Sequence, residues 1–114
     1  MTTAYPYSLL PDHNDYLFIK FEPIHQNTEF LKELLQILGM YNFILKDQQN
    51  IWKEHQLCAI LSAPNGLIKL RIDASKTVSL IGETNQKDIL QIDAILKRFS
   101  VFKKVEIAVV AEFA

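Results

Sequence analysis

One cysteine, three glycines and two arginines (Arg71 and Arg98) are all that 114 residues hold of these types, and each shortage closes a route. A single Cys58 forms no internal disulfide, so nothing marks an oxidising compartment. Gly39, Gly66 and Gly82 stand one by one where a helix stop or a turn needs them, which leaves no glycine-rich loop to cradle a phosphate. Two arginines are few for gripping phosphates or base edges bidentately. The charges also cancel: 12 basic against 13 acidic residues leave a net charge of −1, without the basic excess with which a duplex-binding protein neutralises phosphates. No apolar run approaches the ~20 residues of a membrane helix. The opening "MTTAYPYSLLPDHND" lacks the positive start and continuous apolar stretch of a secretory signal. The expectations are a cytoplasmic location, no nucleic acid and no membrane.

What is present is enough for a core. With 49% hydrophobic and 22% charged residues the chain is too apolar for disorder, and its length suits one domain, 1–114, that folds without metal or disulfide. Residues 1–14, with Pro6 and Pro11 bracketing "YSLL", read as an irregular N-terminal arm. "DYLFIKFE" (15–22) alternates, with Leu17, Ile19 and Phe21 on one face and Lys20 and Glu22 on the other, as a half-covered strand does. "NTEFLKELLQILG" places Leu31, Leu34, Leu35 and Leu38 at helical spacing behind a capping Asn27 or Thr28 and before Gly39. A short strand is predicted over 41–47 and a loop or single helical turn over 48–55. "LCAIL" (57–61) reads as a strand covered on both faces, with Cys58 buried. The turn "SAPNG" then leads into "LIKLRID", forming a hairpin, and "TVSLIGE" adds a further strand.

A second helix, "NQKDILQIDAILKRF", carries Ile89, Ile92, Leu96 and Phe99 as its inner stripe. Leu90 and Ile95 lie at the stripe's edges, and Asp88 in the first turn suits the helix dipole. A last strand over 104–113 alternates Val105, Ile107, Val109 and Ala111. The fold class is α+β: two helices packed on one mainly antiparallel sheet of about five or six strands. The first and last of these strands are candidates to pair at its centre.

The stretch "IWKEHQLCAIL" holds the lone Trp and Cys beside a His, and it invites an enzymatic reading that its chemistry does not support. A Cys–His pair needs the two side chains to converge on an activated thiolate. His55 in a loop and Cys58 in a strand point apart, and burial among Leu57, Ala59 and Ile60 raises a thiol's pKa. His13, His25, His55 and Cys58 are too scattered for a zinc motif. No pair of carboxylates forms an acid–base couple, and no catalytic or cofactor motif stands out. Neither an enzyme nor a cofactor is expected. Trp52 is a lid on the core or, if exposed, an anchor for a partner.

The hairpin followed by an amphipathic helix, "NGLIKLRIDASKTVSLIGETNQKDILQIDAILKRF" (65–99), resembles in type the small immunity proteins encoded beside bacterial polymorphic or contact-dependent toxins. The resemblance implies a non-catalytic inhibitor that binds one cognate toxin and covers its active site. The residues expected to meet that partner are Asp47, Trp52, Glu54 and His55, whose acidic members would face a basic toxin surface, together with Tyr5 and Tyr7 of the arm. A second reading is a small-ligand-binding or regulatory α+β domain with a pocket of Trp52, His55 and Tyr41, dimeric through a sheet edge or the Tyr-rich arm. A third, a small enzyme using His55 or Cys58, ranks last.

Overall fold

The computed structural model describes residues 5–22, 27–51, 56–73, 75–82 and 84–105. Among them the chain forms β1 (Tyr5–Pro11), β2 (Leu17–Phe21), α1 (Asn27–Gly39), β3 (Ile44–Ile51), β4 (Gln56–Ala63), β5 (Gly66–Ile72), β6 (Val78–Ile81), α2 (Gln86–Lys97) and β7 (Phe102–Lys104). The strands make one sheet in the order β3-β4-β5-β6-β2-β1-β7, antiparallel except where β7 runs parallel to β1. From β2, α1 carries the chain to the far edge of the sheet. The meander β3 to β6 walks back until β6 pairs with β2, and α2 then takes the chain over β2 and β1 to the opposite edge. The class is the α+β arrangement that the sequence implies, with seven strands in place of five or six.

The additional strand is the supposed arm. Residues 5–11 are not irregular: β1 pairs with β2 on one side and β7 on the other. Its prolines are accommodated because neither has to donate. Pro11 closes the strand, and Pro6 contributes a carbonyl that accepts the Glu22 N–H at 3.2 Å. At the other end of the sheet, strand begins at Ile44 and runs to Ile51, whereas Tyr41 and Asn42 form a turn with Asn42 in the left-handed region (φ 72°). A register shift between Leu45 and Asp47 breaks the period of two, and the strand continues through Gln48, Gln49 and Asn50, whose uniform polarity shows no alternation. The last strand is an edge strand and does not meet β2. Beyond Val105 the predicted strand lies outside the described residues.

Both helices sit on one face of the sheet. Phe30, Leu34 and Leu38 of α1 and Ile89, Ile92, Ile95 and Leu96 of α2 are buried in a single core with Tyr7, Ile19, Phe21, Ile68, Leu70, Val78 and Leu80 from the strands. Side chains of this size each contribute about 1.5–3 kcal/mol on burial. Leu90 turns outward at 48% exposure and Phe99 is half-buried. Aromatic edges lock α1 down: Phe30 meets Phe21 and Tyr5 edge-on, each at 4.9 Å between ring centres. Gly82 lets α2 approach closely, since a Cβ there would lie 2.9 Å from both Ile68 Cδ1 and Ile89 Cγ1.

A buried carboxylate fixes the other end of α2. Asp93, 6% exposed, accepts the Tyr7 hydroxyl at 3.0 Å and the Lys104 ammonium at 3.1 Å. One acid thereby joins the helix to β1 and β7. Lys97 also reaches it, at 3.4 Å, from a largely exposed position. Asp93→Ala strands the Lys104 charge, takes the carboxylate from the Tyr7 hydroxyl and is expected to destabilise by about 3 kcal/mol, against about 0.5 kcal/mol or less for Lys97→Ala; urea unfolding of the two variants checks the contrast.

The β5–β6 turn is organised by Asp73. One of its carboxylate oxygens accepts Ser75 Oγ at 2.6 Å and the N–H groups of Ser75 and Thr77 at 3.0 Å each. The Ser75 side-chain hydrogen bond above all, with the backbone donors and Arg71 adding to it against some desolvation, holds the carboxyl below its ordinary value. A depressed folded-state pKa stabilises above the unfolded value, about 4, and that contribution disappears as pH falls through the folded value. Asp73→Asn is therefore expected to be about 1 kcal/mol less stable at pH 7, with the gap closing below pH ~4 in denaturation curves collected across pH.

Candidate partner-binding face

The register that sends one set of side chains to the core sends the alternate set to the other face, because residues directly opposite in a ladder share a side. One row there runs Lys20, Ser79, Arg71 and Cys58 across β2, β6, β5 and β4. The next runs Leu10, Phe18, Ile81, Lys69 and Ile60. A third joins Leu67, Ser62 and Ile44. Among the described residues no helix packs over this face. It is nonetheless rich in apolar side chains: Leu67 and Ile44 are 52% and 51% exposed, and Leu10, Phe18, Ile60 and Ile81 are half-buried. "LCAIL" is thus covered on one side only, with Ala59 and Leu61 buried and Cys58 and Ile60 half-buried.

Cations punctuate the apolar surface. Lys69 and Arg71 stand two residues apart on β5, about 7 Å, and Lys20 lies two strands from Arg71, about 10 Å away. All three are exposed. Where the face meets the start of α2 there is a groove of about 370 Å³ lined by Ile60, Asn65, Leu67, Lys69, Ile81 and Asn85 among others.

The groove's end wall is a hydrogen-bonded clamp centred on Asp88, which is fully buried. Asp88 accepts the Asn65 N–H at 3.1 Å, Asn65 Nδ2 at 3.0 Å and Asn85 Nδ2 at 2.9 Å. Asn85 Nδ2 also donates to the Leu67 carbonyl at 3.1 Å. The Asn85 side chain does not cap its own helix; it ties the helix start to the β4–β5 turn. On the β2 side, Gln86 brackets Leu17, accepting its N–H at 2.6 Å.

The residues expected at a partner surface do not assemble here. Tyr7 is fully buried and bonded to Asp93, so it belongs to the core. Tyr5 is half-buried against Phe30. Burial, followed by the Glu33 and Glu29 carboxylates of α1, pushes its hydroxyl pKa above the ordinary value. Asp47 pairs through its backbone with Ile60, just past the register shift in the edge strand β3. Trp52, Glu54 and His55 lie outside the described residues. Tyr41, the described member of the supposed ligand pocket, packs edge-on to Phe99 at 6.5 Å, and the Arg98 guanidinium lies over its ring at 5.9 Å. His13 is exposed in the β1–β2 turn beside Asn14.

Among the described residues no group of three or more His, Cys, Asp and Glu side chains comes together to hold a metal ion, and no helix is long and apolar enough to cross a membrane. Sequence reasoning does not single out the open-face residues, because they lie on four separate strands that only the sheet register brings together. The signal was present in the apolar outward positions Phe18, Ile60, Leu67 and Ile81. No protein family, curated protein or solved structure matches the chain.

Asp88→Ala removes the acceptor shared by the part-buried donors of Asn65 and Asn85 and is expected to destabilise by about 1–3 kcal/mol. Faster amide hydrogen exchange concentrated at Asn65–Leu67 and Asn85 would separate loss of the clamp from general loosening.

Proposed function

We propose that the protein is a non-catalytic protein-binding module that docks one cognate partner on the open face of its sheet. The specific form we favour is a cytoplasmic bacterial immunity protein that neutralises a toxin by covering it. The observation that carries the reading is the apolar content of a face with no helix over it among the described residues. Leu67 and Ile44 are each about half exposed, beside Phe18, Ile60 and Ile81. Contiguous apolar surface left in water forgoes about 25 cal/mol per Å² that a docked partner would recover. In this reading inhibition requires only occlusion, and no residue of this chain takes part in a reaction.

The second reading, a small-ligand site, draws on the groove beside Leu67. Its volume of about 370 Å³ falls at the lower end of ligand pockets. However, Asn65 and Asn85 on its wall already give their amides to Asp88 and to the Leu67 carbonyl.

Leu67 projects into solvent, so Leu67→Asp should change stability by no more than about 0.5 kcal/mol. If it sits at the centre of an interface, the same change should weaken partner binding more than about 30-fold. The test is affinity capture from the source cells with wild type and Leu67→Asp, followed by assay of the partner's activity with and without one equivalent of this protein. A single stoichiometric partner, lost with Leu67→Asp and inhibited by wild type, is the expected result. Capture that Leu67→Asp does not alter, or a partner left fully active, defeats the reading. A ligand-induced thermal shift without any protein partner would favour the groove.

A further inference from the structure

Among the chain's asparagines, Asn65 is the one followed by glycine. Such a pair carries its own electrophile and nucleophile. The backbone nitrogen of the second residue can attack the Cγ of the first, and glycine puts no Cβ in the way. The structure sets Asn65 at the end of the β4–β5 turn and Gly66 at the start of β5, where Gly66 closes the hairpin opposite Ala63. Both residues are exposed. The Asn65 side chain is also part of the clamp on Asp88. Its Nδ2 donates to Asp88 Oδ1 at 3.0 Å, and its backbone N–H donates to Oδ2 at 3.1 Å. A labile residue therefore stands at the joint between the turn and the start of α2, bonded to a fully buried carboxylate. The other asparagines lack this combination: Asn85 shares the clamp but precedes Gln86, and Asn14 is exposed but precedes Asp15.

We propose that Asn65 is a self-modifying site, which deamidates without an enzyme at a rate restrained by the Asp88 clamp and gives products that cannot rebuild that clamp. The Gly66 nitrogen loses its proton to solvent and bonds to Asn65 Cγ. The Cγ–Nδ2 bond breaks, ammonia leaves, and a cyclic imide remains. Water then opens the ring at either carbonyl, giving aspartate or, with the main chain rerouted through Cβ and Cγ, isoaspartate. Overall one water is consumed for each ammonia released, and nothing is oxidised or reduced. The leaving group Nδ2 is the atom bonded to Asp88, so Asn65 has to quit the clamp before Cγ can swing to the Gly66 nitrogen. The rate then follows local opening of the turn, and bonds to a buried charged acceptor hold the turn closed.

The products act on the same joint. In the aspartate form an oxygen replaces Nδ2, 3.0 Å from Asp88 Oδ1. Two carboxylates so close repel, and little water reaches Asp88 to screen them. In the isoaspartate form the main chain is a carbon longer within a tight turn, and the closure of Gly66 on Ala63 is disturbed. Either product frees the turn from α2. The helix itself stays on the sheet through the Asn85 bond to Asp88, 2.9 Å, and the Asp93 anchor further along. What loosens is the wall of the groove beside Leu67, and the change runs one way because the ammonia is lost. This site stands whether or not the open face docks a partner.

Purified protein kept in neutral buffer, digested at intervals and mapped by mass spectrometry, tests the site. Conversion is expected at Asn65 ahead of Asn14, Asn42 and Asn85, with isoaspartate detected in the excised peptide by enzymatic methylation. Asp88→Ala is expected to accelerate it at least about tenfold, since bonds to a charged group are lost from the closed turn. Asp88→Asn, which keeps the shape and gives up one acceptor, serves in its place should Asp88→Ala fold poorly. Asp93→Ala weakens the fold but leaves the clamp, and is expected to change the rate by less than about threefold. Asn65→Asp, which makes one product directly, is expected to speed amide exchange at Leu67 and Asn85 while Ile92 to Leu96 keep wild-type protection. Conversion at Asn65 no faster than at Asn14 overturns the proposal. Equal acceleration by Asp88→Ala and Asp93→Ala overturns control by the clamp, and wild-type exchange in Asn65→Asp overturns its consequence.

Discussion

A sheet has two faces, and in this chain both helices are laid on the same one. The placement follows from how the connections run. α1 takes the chain from β2 to the β3 edge, and α2 takes it from β6 to the β7 edge. Both contribute to the one core that holds Tyr7, Phe21 and Leu80, with Tyr5 packed against it, on the face away from Phe18 and Ile81. Everything else is conditional on that one-sidedness. The core is apolar apart from the buried carboxylates that anchor α2, Asp88 and Asp93, because two helices share it, and the opposite face is free to carry a composition that no core requirement selects. Apolar residues and cations together on that second face are therefore the part of the molecule whose explanation must come from outside its own packing.

The helix that borders the open face is also the most securely tethered. α2 is held at its start by Asp88 and Gln86 and towards its end by Asp93, so turn, sheet and helix move together. Polar groups buried and fully partnered in this way specify geometry more than they add stability. The groove beside Leu67 inherits that rigidity, since its wall is the same Asn65–Asp88–Asn85 set. A docking surface built on strands and braced by a pinned helix start is preorganised, and preorganisation reduces what must be ordered on binding.

Much of the architecture was legible where periodicity was clean. α1, β5 and α2 follow directly from leucines and isoleucines at helical or alternating spacing, and the α+β class follows from their order. The reading failed where a local feature hid the period. Pro6 and Pro11 disguised β1, although each sits where a strand needs no donor. The register shift after Leu45 disguised the second half of β3. For the candidate face the difficulty was of another kind. Sequence shows that Phe18, Ile60, Leu67 and Ile81 are apolar but not that they share a side, since this depends on the register of four separate strands. Asp93 attracted no notice as one acid among many in a helix, because its partners lie on β1 and β7.

The parallel pairing of β1 with β7 bears on how the molecule reaches its folded state. It brings Tyr5 beside Phe102, and the hydroxyl of Tyr7 meets an acid 86 positions further along. Contacts of such separation close large loops before they return any stabilisation, which places folding in the slow, topology-limited regime. The β3–β6 meander, by contrast, is built from neighbours in sequence and is suited to forming first. On a ribosome the core aromatics Tyr7 and Phe21 would emerge early and wait for Phe102, their apolar surface open to other chains in the interval. The long-range strand pair that completes the sheet thus also sets the period during which the nascent chain is most exposed to aggregation.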